Sequence, residues 1–395
     1  MFGVRRGEEH VRNFNLNGIL DAMLAVSDRV SDLNFSVGRP PQIELDGQLV
    51  PLPFNGLPTL APFHTEQIAM ELMQGNQDVI RALVETGSTD CSYSIPGSSR
   101  FRVNIFQQRG SHSIVLRVIN SEIPTVESLG LPDEINRVSD LTNGVVLVTG
   151  PTGSGKSTTL AAIIDKINRD KAYHIVTIED PVEYTHRHKR STVNQREVGS
   201  DTKSFGLALR AALRQAPKVI LIGEMRDVET IEIALEAAET GHLVLSTLHT
   251  IDASKTIDRI VGVFPKDQEP QIRTRFSQSF RYIISQRLVP KIGGGRTAAL
   301  EILKSSMRTR EYITEGESAG KSLIDAMREG SDDGMQEFDN VLEHMVRNGV
   351  ISADAALTYA TNRNNLKLML ADAHSESAEE SHSLELAVSD APLGV

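Results

Sequence analysis

The chain has 395 residues, enough for two domains, and its 39% hydrophobic and 24% charged residues are the balance of a soluble globular protein. A net charge of −11 opposes long-range attraction to phosphate backbones and anionic lipid, which sets nucleic acid aside as a partner. Cys91 is the one cysteine, so no internal disulfide and no tetrathiolate zinc site can form, and a reducing cytosolic setting is expected.

The opening MFGVRRGEEHVRNF has two arginines with no apolar run behind them, and the roughly 18 consecutive apolar residues of a membrane span occur nowhere, so no direct span is expected. Leu16, Ile19, Leu20, Met23 and Leu24 recur at helical spacing, and DLNFSVG and PPQIELDGQLVPL then predict short strands turned at Asp46-Gly47. A second helix is predicted from Thr65 to Glu85. CSYSIPGSSRFRVNIFQQRGSHSIVLRVI alternates apolar and polar residues in two runs around a Gly110-Ser111 break, the pattern of an antiparallel hairpin. These elements predict a small α+β domain over 1–120, followed over 121–140 by a linker carrying Pro124, Gly130 and Pro132.

The pattern then changes. GVVLVTG, HIVTIED, VILIGE and LVLSTLH are short, nearly continuous aliphatic runs separated by helical segments, which predicts buried parallel strands of an α/β sheet. Lys156 to Asn168 places Leu160, Ile163, Ile164 and Ile167 on one face, as in a helix packed on such a sheet. Beyond Leu288 only helical stretches are expected, such as Met335 to Val346. This divides the remainder into a core over 141–290 and a helical C-terminal subdomain over 291–370. The serine-rich, acidic stretch over 371–395 contains no lysine or arginine and is expected to be disordered.

Residues 150–158, Gly150, Pro151, Thr152, Gly153, Ser154, Gly155, Lys156, Ser157 and Thr158, follow a predicted strand and open a predicted helix. In that setting the glycines let backbone N–H groups converge on phosphate oxygens, and the helix N-terminus adds positive potential. Lys156 reaches the β and γ phosphates and the Ser157 hydroxyl ligates Mg²⁺ in such loops. Other strand ends carry Glu179, Asp180 and Glu183, then Glu224, Arg226 and Asp227, then His249, at the edge where ligands of open α/β sheets bind. Carboxylates there hold metal-bound water or take a proton from an attacking water. Asp227 precedes a helical run and is equally a helix cap. Glu224 caps nothing and is read as the water-activating base. His249 is placed to sense a γ-phosphate, whereas His242, after Gly241, either does the same or only closes a helix end. Arg100, Arg102, Arg109 and Arg117 crowd one predicted hairpin, and arginines accelerate phosphoryl transfer by neutralising developing charge.

Taken together, GPTGSGKSTTLAA, TIEDPVEY, NQREVG, LIGEMRDVETI, TGHLVLSTLHT and FRVNIFQQRG resemble the secretion-type AAA-like ATPases. Among them the chain is most similar to the type IV pilus retraction ATPases, the PilT/PilU group of twitching motility, from Ser31 to about residue 365. The resemblance implies a PAS-like N-terminal domain, a RecA-like P-loop NTPase core and a homo-hexameric ring using ATP and Mg²⁺. Lys156 and Ser157 then belong to the phosphate loop, Glu179, Asp180 and Glu183 to the aspartate box, and Glu224 to the Walker B position. His242 and His249 fall on the histidine box, and Arg102 and Arg117 match the paired arginines that reach nucleotide in cis or from a neighbour. Metal would be held at Ser157 and Glu224. An inner-membrane pilus platform protein and a paralogous motor ATPase are the implied partners, met from the cytoplasmic side. Departures are Ala216-Pro217-Lys218 where many relatives read D-P-D, and RTREYITE, Arg308 to Glu315, which keeps only Arg310, Ile313 and Glu315 of the family's A-I-R-N-L-I-R-E. Asn34 also replaces a histidine. Two other roles are weighed: a PilU-like accessory subunit that binds ATP and docks on another motor, and the pilus-assembly or type II secretion ATPases, whose usual tetracysteine module Cys91 alone cannot supply.

Overall fold

A computed structural model describes residues 15–54, 57–119, 122–318 and 320–371. The expected disordered tail falls, from residue 372 onward, outside the described residues. The chain divides into two compact units.

The smaller unit runs to Glu122 and also takes in Pro181–Thr185 and Glu197–Asp201. It holds α1 (Leu16–Leu24), β1 (Val30–Ser36), β2 (Gln42–Leu45), β3 (Gln48–Pro51), α2 (Pro62–Met73), α3 (Gln77–Thr86), β4 (Ser88–Ser94), β5 (Arg100–Gln108) and β6 (Ser111–Ile119). The strands form an antiparallel sheet in the order β3-β2-β1-β6-β5-β4. Two hairpins close through residue pairs in the left-handed region, Asp46-Gly47 at φ 53° and 80° and Arg109-Gly110 at 47° and 74°, which matches the right-handed twist of the strands they join. The helix expected over Thr65–Glu85 is two helices. Gln74 and Gly75 have φ of 50° and 72°, and Asn76 caps α3 by accepting from the Asp78 and Val79 amides. Leu20, Phe35, Ile68, Leu72, Phe101, Ile105 and Leu116 form the core between helices and sheet. Each fully buried side chain of this size contributes about 1.5–3 kcal/mol.

The larger unit contains α4 (Glu134–Arg137), β7 (Gly144–Thr149), α5 (Lys156–Asp170), β8 (His174–Glu179), β9 (Thr192–Glu197, whose last residue belongs to the smaller unit), α6 (Phe205–Ala212), β10 (Val219–Ile222), α7 (Val228–Glu239) and β11 (Leu243–Leu248). It continues with α8 (Ala253–Val261), α9 (Glu269–Ser279), β12 (Phe280–Pro290), β13 (Arg296–Lys304), α10 (Met307–Glu315), α11 (Leu323–Glu329), α12 (Phe338–Arg347) and α13 (Ala353–Tyr359). The sheet order is β13-β12-β7-β11-β10-β8-β9, with β12, β7, β11, β10 and β8 mutually parallel. All four aliphatic runs read as strands are strands of this parallel block, and every residue of β7, β10 and β11 is buried.

Two expectations are corrected. Helices alone do not follow Leu288: β13 pairs antiparallel with β12 from Tyr282 opposite Lys304 to Pro290 opposite Arg296. The sequence TAALEIL of β13 is helix-forming by composition, and pairing with a buried neighbour overrides that preference. Nor is 121–140 a free linker, since Val126, Leu131, Ile135 and Val138 pack with Val146 and Val148 in the core beneath α5. The C-terminal helices build a second core on the other side of the β12/β13 hairpin, where Phe338, Leu342, Ile351 and Leu366 meet Val289 and Ala299.

Candidate functional site

β7 ends at Thr149 and α5 begins at Lys156, and the six residues between them turn back on themselves because Gly150, Gly153 and Gly155 have φ of 142°, 78° and 90°. Lys156 is buried, and its ammonium donates to the carbonyls of Gly150 at 2.9 Å and Pro151 at 3.1 Å, curling the loop around its own charge. Pro151, Thr152 and Gly153 are exposed, and Ser157 and Thr158 occupy the half-buried first turn of the 15-residue α5. The N-terminus of such a helix presents unpaired amides and positive potential. Inside the loop the Ser154 hydroxyl is buried with no hydrogen-bond partner among the described residues, so a polar ligand has an orphaned group waiting for it. The residues fit a nucleotide phosphate.

The sheet brings the other predicted groups to the same edge of the larger unit. Leu248 at the end of β11 lies beside Thr149, and the Gly150 amide donates to its carbonyl at 3.3 Å, so His249 flanks the first residue of the loop. One strand further, Gly223 extends β10 by donating to the Ile178 carbonyl, while the Thr247 hydroxyl donates to the Gly223 carbonyl at 2.6 Å. These bonds place Glu224. Its carboxylate lies 2.6 Å from Arg226 Nη2 and 3.3 Å from His249 Nε2. Burial pushes the Glu224 carboxyl up, but the Arg226 hydrogen bond together with the His249 and Arg226 charges outweighs it and holds the group below the usual glutamate range. It is therefore an anion at neutral pH. Glu179 ends β8 and accepts from Thr177 Oγ1 at 2.6 Å and Gln195 Nε2 at 3.2 Å; Asp180 is exposed and adds to the negative field on Arg226. Asp227 is a cap, accepting from the Thr230 amide at the start of α7.

The smaller unit carries the arginines. Arg102 on β5 and Arg117 on β6 are direct cross-strand partners on the exposed face, and Asp32 on β1 is the next residue in that row. Asp32 is buried and accepts from Arg117 Nε at 3.0 Å. Like charges directly opposite destabilise a sheet, and one carboxylate offsets only part of that. Arg100 is used otherwise: it pairs at 2.9 Å with buried Glu197, which also accepts from the Val182 amide at 3.0 Å and from Ser92. Glu183 sits in that same Pro181–Thr185 turn and is exposed.

His242 lies at the other edge of the sheet. It precedes the first residue of β11, where its carbonyl accepts from the Gly144 amide, whereas the loop neighbours the last. At about 3.3 Å per residue the six-residue strand holds it some 20 Å from the loop of its own chain. Its ring Nδ1 donates to the Ala237 carbonyl at 2.9 Å and closes α7.

Sequence reasoning missed Gln286 of β12, whose buried amide lies against the loop, as it missed Asp32. The signal for Asp32 was a charged residue in the alternating DLNFS; Gln286, an uncharged polar residue in the strand FRYIISQRLVP, gave no comparable signal.

Residues 89–312 match the family model described as type II/IV secretion system protein. The chain is 47% identical over 326 residues to the type IV pilus retraction ATPase PilT of Pseudomonas aeruginosa, covering 82% of this chain and 93% of that one. The chain belongs to the PilT-like pilus retraction ATPases of this family. It is an ATP-hydrolysing, nucleotide-binding enzyme with a RecA-like P-loop core. A second relative, the type IV pilus ATPase PilU of the same organism, is 39% identical over 378 residues, 94% of this chain and 97% of its own. Among solved structures, the pilus retraction motor PilT with bound ADP superposes with a TM-score of 0.78 at 44% identity, covering 90% of this chain and 99% of that one. No helix among the described residues of this retraction-type ATPase is long and apolar enough to cross a membrane.

Proposed function

We propose that the chain is a subunit of a homo-hexameric motor that hydrolyses Mg-ATP at Gly150–Ser157 and spends the energy on retracting a type IV pilus. The observation that carries the reading is Glu224, an ionised carboxylate held at the loop's own edge of the sheet by Arg226 and His249. In this reading Glu224 takes the proton of the attacking water, so its hold on Arg226 has to loosen during the cycle. His249 reports whether the terminal phosphate is present. Arg102 and Arg117 neutralise charge developing on the phosphoryl group transferred from a nucleotide of the ring. The metal would be held by Ser157 and Glu224, with Glu179, Asp180 and Glu183 ordering water around it, and it would neutralise β- and γ-phosphate charge when bound. Among the described residues no three His, Cys, Asp or Glu side chains form a metal cage. Mg²⁺ is compatible with that, because it is bound through one or two protein oxygens plus substrate phosphates and water.

A head-to-tail interface either closes into a ring or grows into a filament, and the proposal takes the closed, six-membered form. The mechanical partner in this proposal is a pilus platform protein at the inner membrane, met from the cytoplasm, with a paralogous motor as a further partner. Steady-state ATPase of Lys156→Ala and Glu224→Ala tests the assignment: both should lose at least ~100-fold in turnover, and near-parental rates in either remove it. A deletion strain should keep its pili but lose their retraction, and complementing it with Glu224→Ala should leave retraction absent. A second reading, an accessory subunit, is favoured by the PilU alignment, which spans 94% of the chain against 82% for PilT. Tight ATP binding without turnover by the assembled ring decides for it.

A further inference from the structure

We propose that Gln286 of β12 is a positioning residue of the phosphate loop, which aims the Gly155 N–H into the cradle by holding the Ser154 carbonyl away from it. Gln286 is 3% exposed, and both ends of its amide are used. Nε2 donates to the Ser154 carbonyl at 2.7 Å, and Oε1 accepts from the Thr159 hydroxyl at 2.8 Å. A carbonyl only accepts, so Ser154 fixes which end of the amide carries the nitrogen, and the Thr159 hydroxyl then donates to the other. In a trans peptide the C=O and the following N–H point in opposite directions. Tying the Ser154 oxygen outward to β12 therefore turns the Gly155 N–H inward, the orientation a phosphate-binding nest requires.

The same residue explains two of the loop's glycines. A Cβ on Gly155 would come within 2.7 Å of Gln286 Nε2, and a Cβ on Gly150 would collide with the Gln286 main-chain carbonyl. Both ends of the loop thus rest on one residue of β12. Ser285, beside it, accepts from the Thr149 hydroxyl at 3.1 Å, so the strand also grips the last residue of β7. Thr159 lies on α5, so the Gln286 amide ties loop, helix and sheet together at one point.

The inference rests on the reading of Gly150–Ser157 as the nucleotide site, and the test separates the two. With the full-length protein, the affinity for a fluorescent ADP and the ATPase KM and kcat are measured for Lys156→Ala, Gln286→Met and Thr159→Val. Gln286→Met keeps the volume and removes the donor. It should weaken ADP and raise KM about tenfold, the cost of leaving a buried carbonyl unpaired, with kcat within about threefold of the parent. Thr159→Val leaves the Ser154 bond but frees the far end of the amide, and should weaken ADP about threefold, without additivity in the double variant. A purely structural role lowers the melting temperature and leaves KM in place. ADP affinity and KM within twofold of the parent for Gln286→Met overturn the inference, and if that variant does not fold, unchanged ADP affinity in Thr159→Val does so. Intact ADP binding in Lys156→Ala removes instead the reading of the loop.

Discussion

Arg102 and Arg117 face each other across β5 and β6, and the buried carboxylate of Asp32 bonds to Arg117, at 3.0 Å, and, among the described residues, not to Arg102. The two arginines therefore differ in what their loss costs the fold. Arg102→Thr removes a like-charge repulsion and puts a strand-forming residue on an exposed face, so stability should hold or rise by up to about 1 kcal/mol. Arg117→Thr leaves Asp32 without its partner and should cost about 1–3 kcal/mol. Both should reduce ATP turnover about 10³-fold while nucleotide still binds. Chemical denaturation beside ATPase rates checks this. An Arg102→Thr protein that is more stable and fully active would show that the pair serves no anion.

Glu224 gives a pH prediction. Burial raises its carboxyl, while Arg226 and His249 lower it below the usual range. A general base works when deprotonated, so the acid limb of kcat/KM should lie below the ordinary glutamate value. Arg226→Gln removes the main lowering partner and leaves burial in place, which should move that limb to higher pH. A profile that stays put, or moves the other way, rules out Glu224 as the group being titrated.

The residues that were legible in the sequence share one property: their chemistry and their element boundary coincide. Lys156, Glu224 and His249 each come at or shortly after the end of a nearly continuous aliphatic run, so a parallel strand and the edge that carries these groups were read in one step. The period-two strands of the smaller unit were equally plain, since one face must be apolar. What stayed hidden depends on lateral neighbours. β13 reads as a helix until β12 is beside it, and Gln286 looks like any polar residue until the loop lies against its amide. The distance of His242 from the loop of its own chain was hidden for a related reason. Seven residues from His249 is two helical turns but the full length of a strand, which sends the two histidines to opposite edges of the sheet.

Buried His186 couples stability to pH. Its residue is 7% exposed, Nδ1 has no partner among the described residues, and burial pushes its pKa down to about 4 from 6.5. The fold thus prefers the neutral ring. Between pH 6.5 and about 4 the unfolded chain binds a proton that the folded one refuses, so this group's contribution is complete above 6.5 and is lost as the pH falls. The span corresponds to on the order of 3 kcal/mol. His186→Leu should remove that dependence, and its stability relative to the parent should improve steadily from pH 7 to pH 4.5 in urea titrations.

Glu301 of β13 imposes the opposite slope. It is 3% exposed, accepts from the Ala253 amide at 2.7 Å and from Ser285 at 3.3 Å, and burial first, then Asp252, push its pKa up to about 7 against the counter-pull of Arg287. The Ala253 hydrogen bond is the larger of the groups pulling the other way, ahead of Arg287, and burial still wins; the folded state keeps a proton the unfolded chain has already released, so stability is fully present below about 4.5 and declines as the pH rises through 7. Glu301→Gln copies the protonated form. Relative to the parent it should gain stability progressively between pH 5 and pH 8, by up to about 3 kcal/mol. The two variants thus tilt the stability profile in opposite directions over nearly the same interval. Parallel profiles for both would mean that neither buried group titrates in the folded chain as its surroundings require.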